Sequence, residues 1–179
     1  MRILFWFRKD LRLADNTGLH EAARDAAGEV VPFYTTESAP AGRAAVGTDA
    51  GSDAIAPARA RFTRDSLADL AGAVEHAGSR LALDHAPALE ALPRAARLAR
   101  ADAVYWNDEY EPELERRDDQ VERALESAGI AVRRFHDRLL VPPGAVLTKT
   151  GTPFVVYTAL YPVSDLHWTL VPDLEQKTS

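Results

Sequence analysis

The sequence of 179 residues contains no cysteine. That absence removes disulfides, thiolate nucleophiles and cysteine-based zinc sites. Its five histidines, His20, His76, His85, His136 and His167, are scattered, and none shows metal-ligand spacing such as HExxH. Basic charge is also scarce: 21 Lys and Arg against 27 Asp and Glu give a net charge of −6. A stand-alone nucleic-acid binder carries a basic excess or a basic stripe instead. No apolar run approaches the roughly 20 residues of a membrane span. No basic region followed by a long apolar stretch and a small-residue cleavage site opens the chain, so the expected location is the cytoplasm, with no membrane partner. The glycine motifs GxGxxG, GxxxxGK[ST] and GxSxG are missing too. Their absence counts against a dinucleotide fingerprint, a P-loop and a hydrolase nucleophile elbow.

What is present is a regular alternation. Five short runs have strand character: Ile3–Phe7, Val30–Tyr34, Arg80–Asp84, Ala103–Asn107 and Ala131–Phe135. Most are continuously apolar, β-branched or aromatic, the pattern of strands covered on both faces. Helical periodicity lies between them, at Asn16–Ala27, Ala58–Ala77, Pro87–Arg100 and Pro112–Ala128. Asp15 is the expected N-cap of the first helix and Gly28 its stop. Leu19, Ala22, Ala23 and Ala26 form its apolar stripe; Phe62, Leu70, Val74 and Ala77 form that of the second helix. The order β-α-β-α-β-α-β-α-β predicts an α/β fold, a doubly wound, Rossmann-like five-stranded parallel sheet with helices on both faces.

Ligands of such sheets bind beyond the carboxyl ends of the strands, where the strand order reverses. Five charges, Arg8, Lys9, Asp10, Arg12 and Asp15, follow the first strand, and "WNDEYEP" closes the fourth. The charges therefore gather where a ligand is held. Asp118 lies four residues after Leu114 and three before Val121, on the apolar stripe of the last helix. A carboxylate there needs a partner, and Arg8 or Arg12 is the expected one. The domain is expected to span residues 1–135. Within it, 35–57 reads as a long loop, either a lid over the crevice or a surface excursion. Residues 136–179 read as a wrapping or linker segment, with a short helix near 155–161.

"FWFRKDLRLADNTGL", "RLALDHAP", "DAVYWNDEYEPELERRDDQVERALESAGI" and "LLVPPGAVLTKTGTPFVVYTALYP" follow one another at set separations. Together they resemble the DNA photolyase/cryptochrome family over about Met1–Tyr161. The resemblance implies the family's N-terminal α/β domain, which often holds a light-harvesting antenna chromophore. It further implies a partner, a C-terminal helical domain that binds FAD and the pyrimidine dimer and that this sequence lacks. On that basis the chain is expected to capture light for a deoxyribodipyrimidine photolyase, a carbon–carbon lyase, and to pass excitation to FAD. No catalytic residue and no direct DNA contact are expected from this segment. After "YP", Pro162 and Asp165 depart from the family's basic-aromatic helix.

The resemblance also bears on the antenna. In folate-binding members an Asn-Glu pair contacts the folate, and the matching positions here are Glu113 and Leu114. In deazaflavin-binding members an arginine and an acid line the site, and these match Arg59 and Glu109. An 8-hydroxy-deazaflavin or FMN is therefore expected ahead of methenyl folate. Arg8, Lys9, Tyr34, Arg59, Asn107 and Glu109 are the expected cofactor-binding residues. Trp6 and Tyr34 are expected as walls of the slot. Phe7 stands near the same strand end, but like Phe5 it is expected in the core, with Trp6 pointing the opposite way. Two alternatives stand beside this: the α/β domain of a cryptochrome-like blue-light sensor, and a free-standing nucleotide-binding α/β protein.

Overall fold

The computed structural model describes residues 1–26, 29–36, 52–139, 148 and 150–152, without the side chains of 52–57 and 59. The chain divides into two units, Met1–Arg138 and Leu139–Ser179. The first contains the strands β1 (Ile3–Phe7), β2 (Val30–Thr35), β3 (Ala82–Asp84), β4 (Ala103–Asn107) and β5 (Ala131–Phe135). Its helices are α1 (Thr17–Asp25), α2 (Ser52–His76), α3 (Ala88–Ala99) and α4 (Pro112–Ser127). In the second unit, the described residues form a turn in which the Thr148 N–H donates to the Thr152 carbonyl at 2.8 Å. The short helix expected near 155–161 and Gly28 lie outside the described residues, as does most of the 136–179 segment.

All five strands are parallel, in the order β3-β2-β1-β4-β5. The chain winds outward from β1 to β3, then returns to place β4 on the other edge of β1. The carboxyl ends of β1 and β4 therefore flank the reversal point. Every residue of β1 and β4 is buried, which is why both read as unbroken apolar runs. Strand polarity divides the core in two. Leu4, Trp6, Val104 and Trp106 pack against α3 and α4 through Leu92, Ala96, Val121 and Leu125. Ile3, Phe5, Phe7 and Tyr105 face α1 and α2 through Ala22, Leu70 and Val74. Trp6 thus points away from Phe5 and Phe7, as alternation along a strand requires. Burying each such large side chain contributes roughly 1.5–3 kcal/mol.

Several sequence expectations shift. The N-cap of α1 is Asn16, whose side chain accepts the Leu19 N–H at 3.0 Å. Asp15 instead takes a left-handed conformation, φ 51°, which aspartate tolerates better than most residues. Ala23, expected on the stripe of α1, is exposed, and Gly18 is buried in the helix instead. Helix α2 begins at Ser52, so the last residues of the expected loop are helical; residues 37–51 lie outside the described residues. Phe62 leaves the expected stripe and is 74% exposed. At about 100° per residue it sits roughly 100° from the midline of Leu70 and Val74. Ala77 is also exposed, lying just past the end of α2. Strand β3 is shorter than expected because it pairs only with Phe33–Thr35. The preceding Pro32 has no N–H to give a neighbouring strand.

Candidate functional site

The charges after β1 separate into two groups. In the first, the Asp10 carboxylate accepts the Arg8 N–H at 2.8 Å and the Asn107 amide at 2.6 Å. Asn107 also donates to Asn16 Oδ1 at 2.8 Å, and its own oxygen accepts the Gly18 N–H at 2.9 Å. Asp10, Asn16 and Asn107 are all buried. Both donors and the oxygen of Asn107 are therefore used inside the protein. Gly18 is required by this closeness: a Cβ there would lie 2.5 Å from Asn107 Oδ1 and 3.0 Å from the Phe5 ring.

The second group surrounds Asp118, which is fully buried. Arg8 Nη1 pairs with Asp118 Oδ2, one of the two arginines expected. Arg12, the other, goes to Asp137 at 2.6 Å. The second carboxylate oxygen of Asp118 accepts Arg117 Nη2 at 2.9 Å and Nε at 3.1 Å. Both guanidiniums face the Trp6 ring, 4.8 Å and 4.9 Å from its centroid. Lys9 bridges Glu109, at 3.2 Å, and Glu111. Arg138 reaches the buried Glu109 at 3.3 Å. The Lys9 hydrogen bond holds the Glu111 carboxyl at a pKa of about 2.

A cleft of about 360 Å³ opens at the carboxyl ends of β1 and β2. Trp6, Arg8 and Lys9 come from the β1 end, Tyr34 and Thr35 from β2. Phe62 and Thr63 come from α2, Leu114 and Arg117 from α4, and Leu11 and Glu109 complete the lining. Four of the six expected binding residues, Arg8, Lys9, Tyr34 and Glu109, thus come together. Asn107 is absent from the lining and belongs to the saturated network. Arg59 lies in α2, and its side chain is outside the described residues. Trp6 presents little surface, being 1% exposed and covered by the two guanidiniums. Phe7 is in the core, edge-on to Phe5 with 4.8 Å between centroids.

Sequence reasoning missed Phe62, Leu11 and Arg117 as lining residues. Phe62 carried a usable signal in its angular offset from the core stripe; Arg117 carried none apart from its place beside Asp118. Elsewhere on the unit, Arg134 is held by Asp108, Asp119 and Glu122 at 2.6–3.0 Å. Burial opposes its charge, but these acidic partners outweigh that and raise its pKa. Among the described residues, no group of three or more His, Asp or Glu side chains is placed to hold a metal ion. Nor, among them, is any helix long and apolar enough to cross a membrane.

Comparison with known proteins agrees with this architecture. A deoxyribodipyrimidine photo-lyase of Synechococcus is 37% identical over 155 residues, covering 87% of this chain and 30% of that protein. The crystal structure of a class III photolyase from Agrobacterium tumefaciens superposes with a TM-score of 0.73 at 32% identity. It covers 92% of this chain and 31% of that one. An archaeal photolyase from Sulfolobus tokodaii, described as having two FAD molecules and implying a novel light-harvesting cofactor, gives a TM-score of 0.70. That match has 27% identity and covers 91% of this chain and 34% of that one. The chain therefore spans about a third of the length of these relatives. A family model described as DNA photolyase matches residues 3–175, and the chain belongs to that family.

Proposed function

We propose that this chain is a light-harvesting domain. Its cleft binds an antenna chromophore, an 8-hydroxy-deazaflavin or FMN ahead of methenyl folate. Excitation then passes to FAD held in a helical domain of a deoxyribodipyrimidine photolyase. The observation that supports this best is the cleft itself, which lies where open α/β sheets bind ligands. Tyr34, Phe62, Leu11 and Leu114 give it apolar edges, while Arg8, Lys9 and Glu109 supply a few polar groups. A flat, conjugated ring system needs that combination. The archaeal relative described as implying a novel light-harvesting cofactor supports a flavin-type occupant. Dimer repair belongs to the longer relatives, and this segment supplies light capture rather than bond cleavage or DNA contact. The expected compartment is the cytoplasm.

The test is an absorbance and fluorescence titration of the full chain with 8-hydroxy-deazaflavin, FMN and methenyl folate, repeated with Phe62→Ala and Arg59→Ala. Saturable binding of a deazaflavin or flavin, weakened in both variants, is the expected result. No binding by any of the three chromophores would sink the proposal.

A further inference from the structure

Trp6 stands among the residues of the cleft and is nevertheless only 1% exposed. That combination matters for a domain that holds excitation. Indole and phenol are the ordinary side-chain rings that give up an electron most easily to an excited conjugated ring, and indole does so without first losing a proton. One electron passes from the indole to the excited ring, leaving an indole radical cation and a ring reduced by one electron, and the excitation is lost. An antenna site therefore has to keep such a donor out of contact with its chromophore.

The cover on Trp6 is specific. The guanidinium carbons of Arg8 and Arg117 lie over its ring, 4.8 Å and 4.9 Å from the centroid. A planar guanidinium stacks on an aromatic face in a way that an ammonium does not. Trp106 meets the ring edge-on with 5.5 Å between centroids, within the core that includes Val121 and Leu125. Arg8 is the inner guanidinium, its side chain 6% exposed, and Arg117 the outer, at 22%. Both are pinned by the fully buried Asp118, so the cover is fixed where a surface arginine would swing away. The surface left to a planar ligand is Tyr34, Phe62 and the outer guanidinium, not the indole. The indole N–H agrees with this: Nε1 is buried and has no hydrogen-bond partner among the described residues. No base beside it is in place to take its proton and hold the oxidised ring.

We infer that Arg117, fixed with Arg8 on Asp118, insulates Trp6 from the occupant of the cleft and so protects the occupant's excited state from quenching by electron transfer. This deepens the chromophore reading and rests on it. Arg117 acts here as a positioning residue, through what it keeps apart.

The test is the excited-state lifetime of FMN bound at saturation to the full chain, or of 8-hydroxy-deazaflavin if only that binds. Tyr34 is the other oxidisable ring of the cleft, so each measurement is repeated with Tyr34→Phe. Arg117→Ala, checked for folding by circular dichroism, should shorten the lifetime several-fold. Transient absorption should then show an indole radical cation that the wild type does not form. Adding Trp6→Phe to Arg117→Ala should restore the lifetime and abolish the radical, which a purely structural role for Arg117 would not produce. A lifetime unchanged by Arg117→Ala in both backgrounds overturns the inference and leaves the chromophore site standing. So does a shortening that Trp6→Phe fails to reverse, or an indole radical formed in the wild type and lost on Trp6→Phe. If Arg117→Ala does not fold, Arg117→Gln takes its place with the same readings, and the wild-type radical measurement decides by itself if neither folds. If none of the chromophores binds the wild-type chain, the chromophore site itself fails and the inference falls with it.

Discussion

Two neighbouring groups of polar residues leave the end of β1, and they are finished differently. Around Asp10, Asn16 and Asn107, the side-chain donors and acceptors find partners within the protein, and Gly18 closes the space down to contact distance. Around Arg8 and Asp118, a donor is left over, two guanidiniums share one carboxylate, and a largely exposed phenylalanine stands at the rim. The first network fixes backbone, whereas Arg8 and Arg117 of the second line the cleft. Asn107 shows how close the two are. It adjoins the cleft in sequence and carries the polar amide a ligand would use, yet its hydrogen bonds are already committed.

The largest effect should come from removing the carboxylate at the centre of the second group. Asp118→Ala leaves two arginines at a buried site without their carboxylate and should cost about 3–5 kcal/mol, read by urea denaturation. A loss below about 1 kcal/mol would mean that the pair is solvated and that Arg8 is not fixed. Next, Gly18→Ala forces a Cβ against Asn107 and should cost about 1–3 kcal/mol by the same measurement. If the variant is as stable as the wild type, the network has slack and the contrast between the two groups weakens. The smallest effect is at Glu111, whose pKa of about 2 lies below its ordinary 4.5 because of the Lys9 hydrogen bond. A depressed carboxyl stabilises the fold above the unfolded-state pKa, and that stabilisation is lost as pH falls from 4.5 towards 2. Glu111→Gln should remove a small part of the acid-induced fall in Tm across that window and leave the rest. An unchanged pH profile would mean that Lys9 relies on Glu109 alone.

Much of this was legible in sequence, for identifiable reasons. Strands β1 and β4 fall where their runs predict, because both are bonded on two edges and buried along their whole length; β5 does so too, although it is a partly exposed edge strand. That Asp118 pairs with Arg8 or Arg12 followed from one carboxylate on an apolar stripe, and the structure selects Arg8. The less legible features depend on three-dimensional neighbours. Asn16 rather than Asp15 caps α1 because the chain turns through a left-handed residue first. Phe62 reaches the cleft because it sits roughly 100° around α2 from the Leu70 and Val74 stripe. Nothing local marks Arg117 as a cleft residue, since its position follows from where Asp118 is buried. The carboxylates that fix Arg134 come from two separate elements, so the sequence pattern alone does not assemble them.

The strand order has a further consequence for how the chain is made. Ile3 sits between Val30 and Ala103. On a ribosome, β1 meets its first partner within about thirty residues, but its other edge waits for a strand a hundred residues away. Until β4 emerges, that edge is a row of unpaired backbone groups on the most apolar segment of the molecule, the kind of surface that draws strands from other chains. The same order that buries β1 at the centre of the finished sheet makes it the strand that waits longest to have both edges covered.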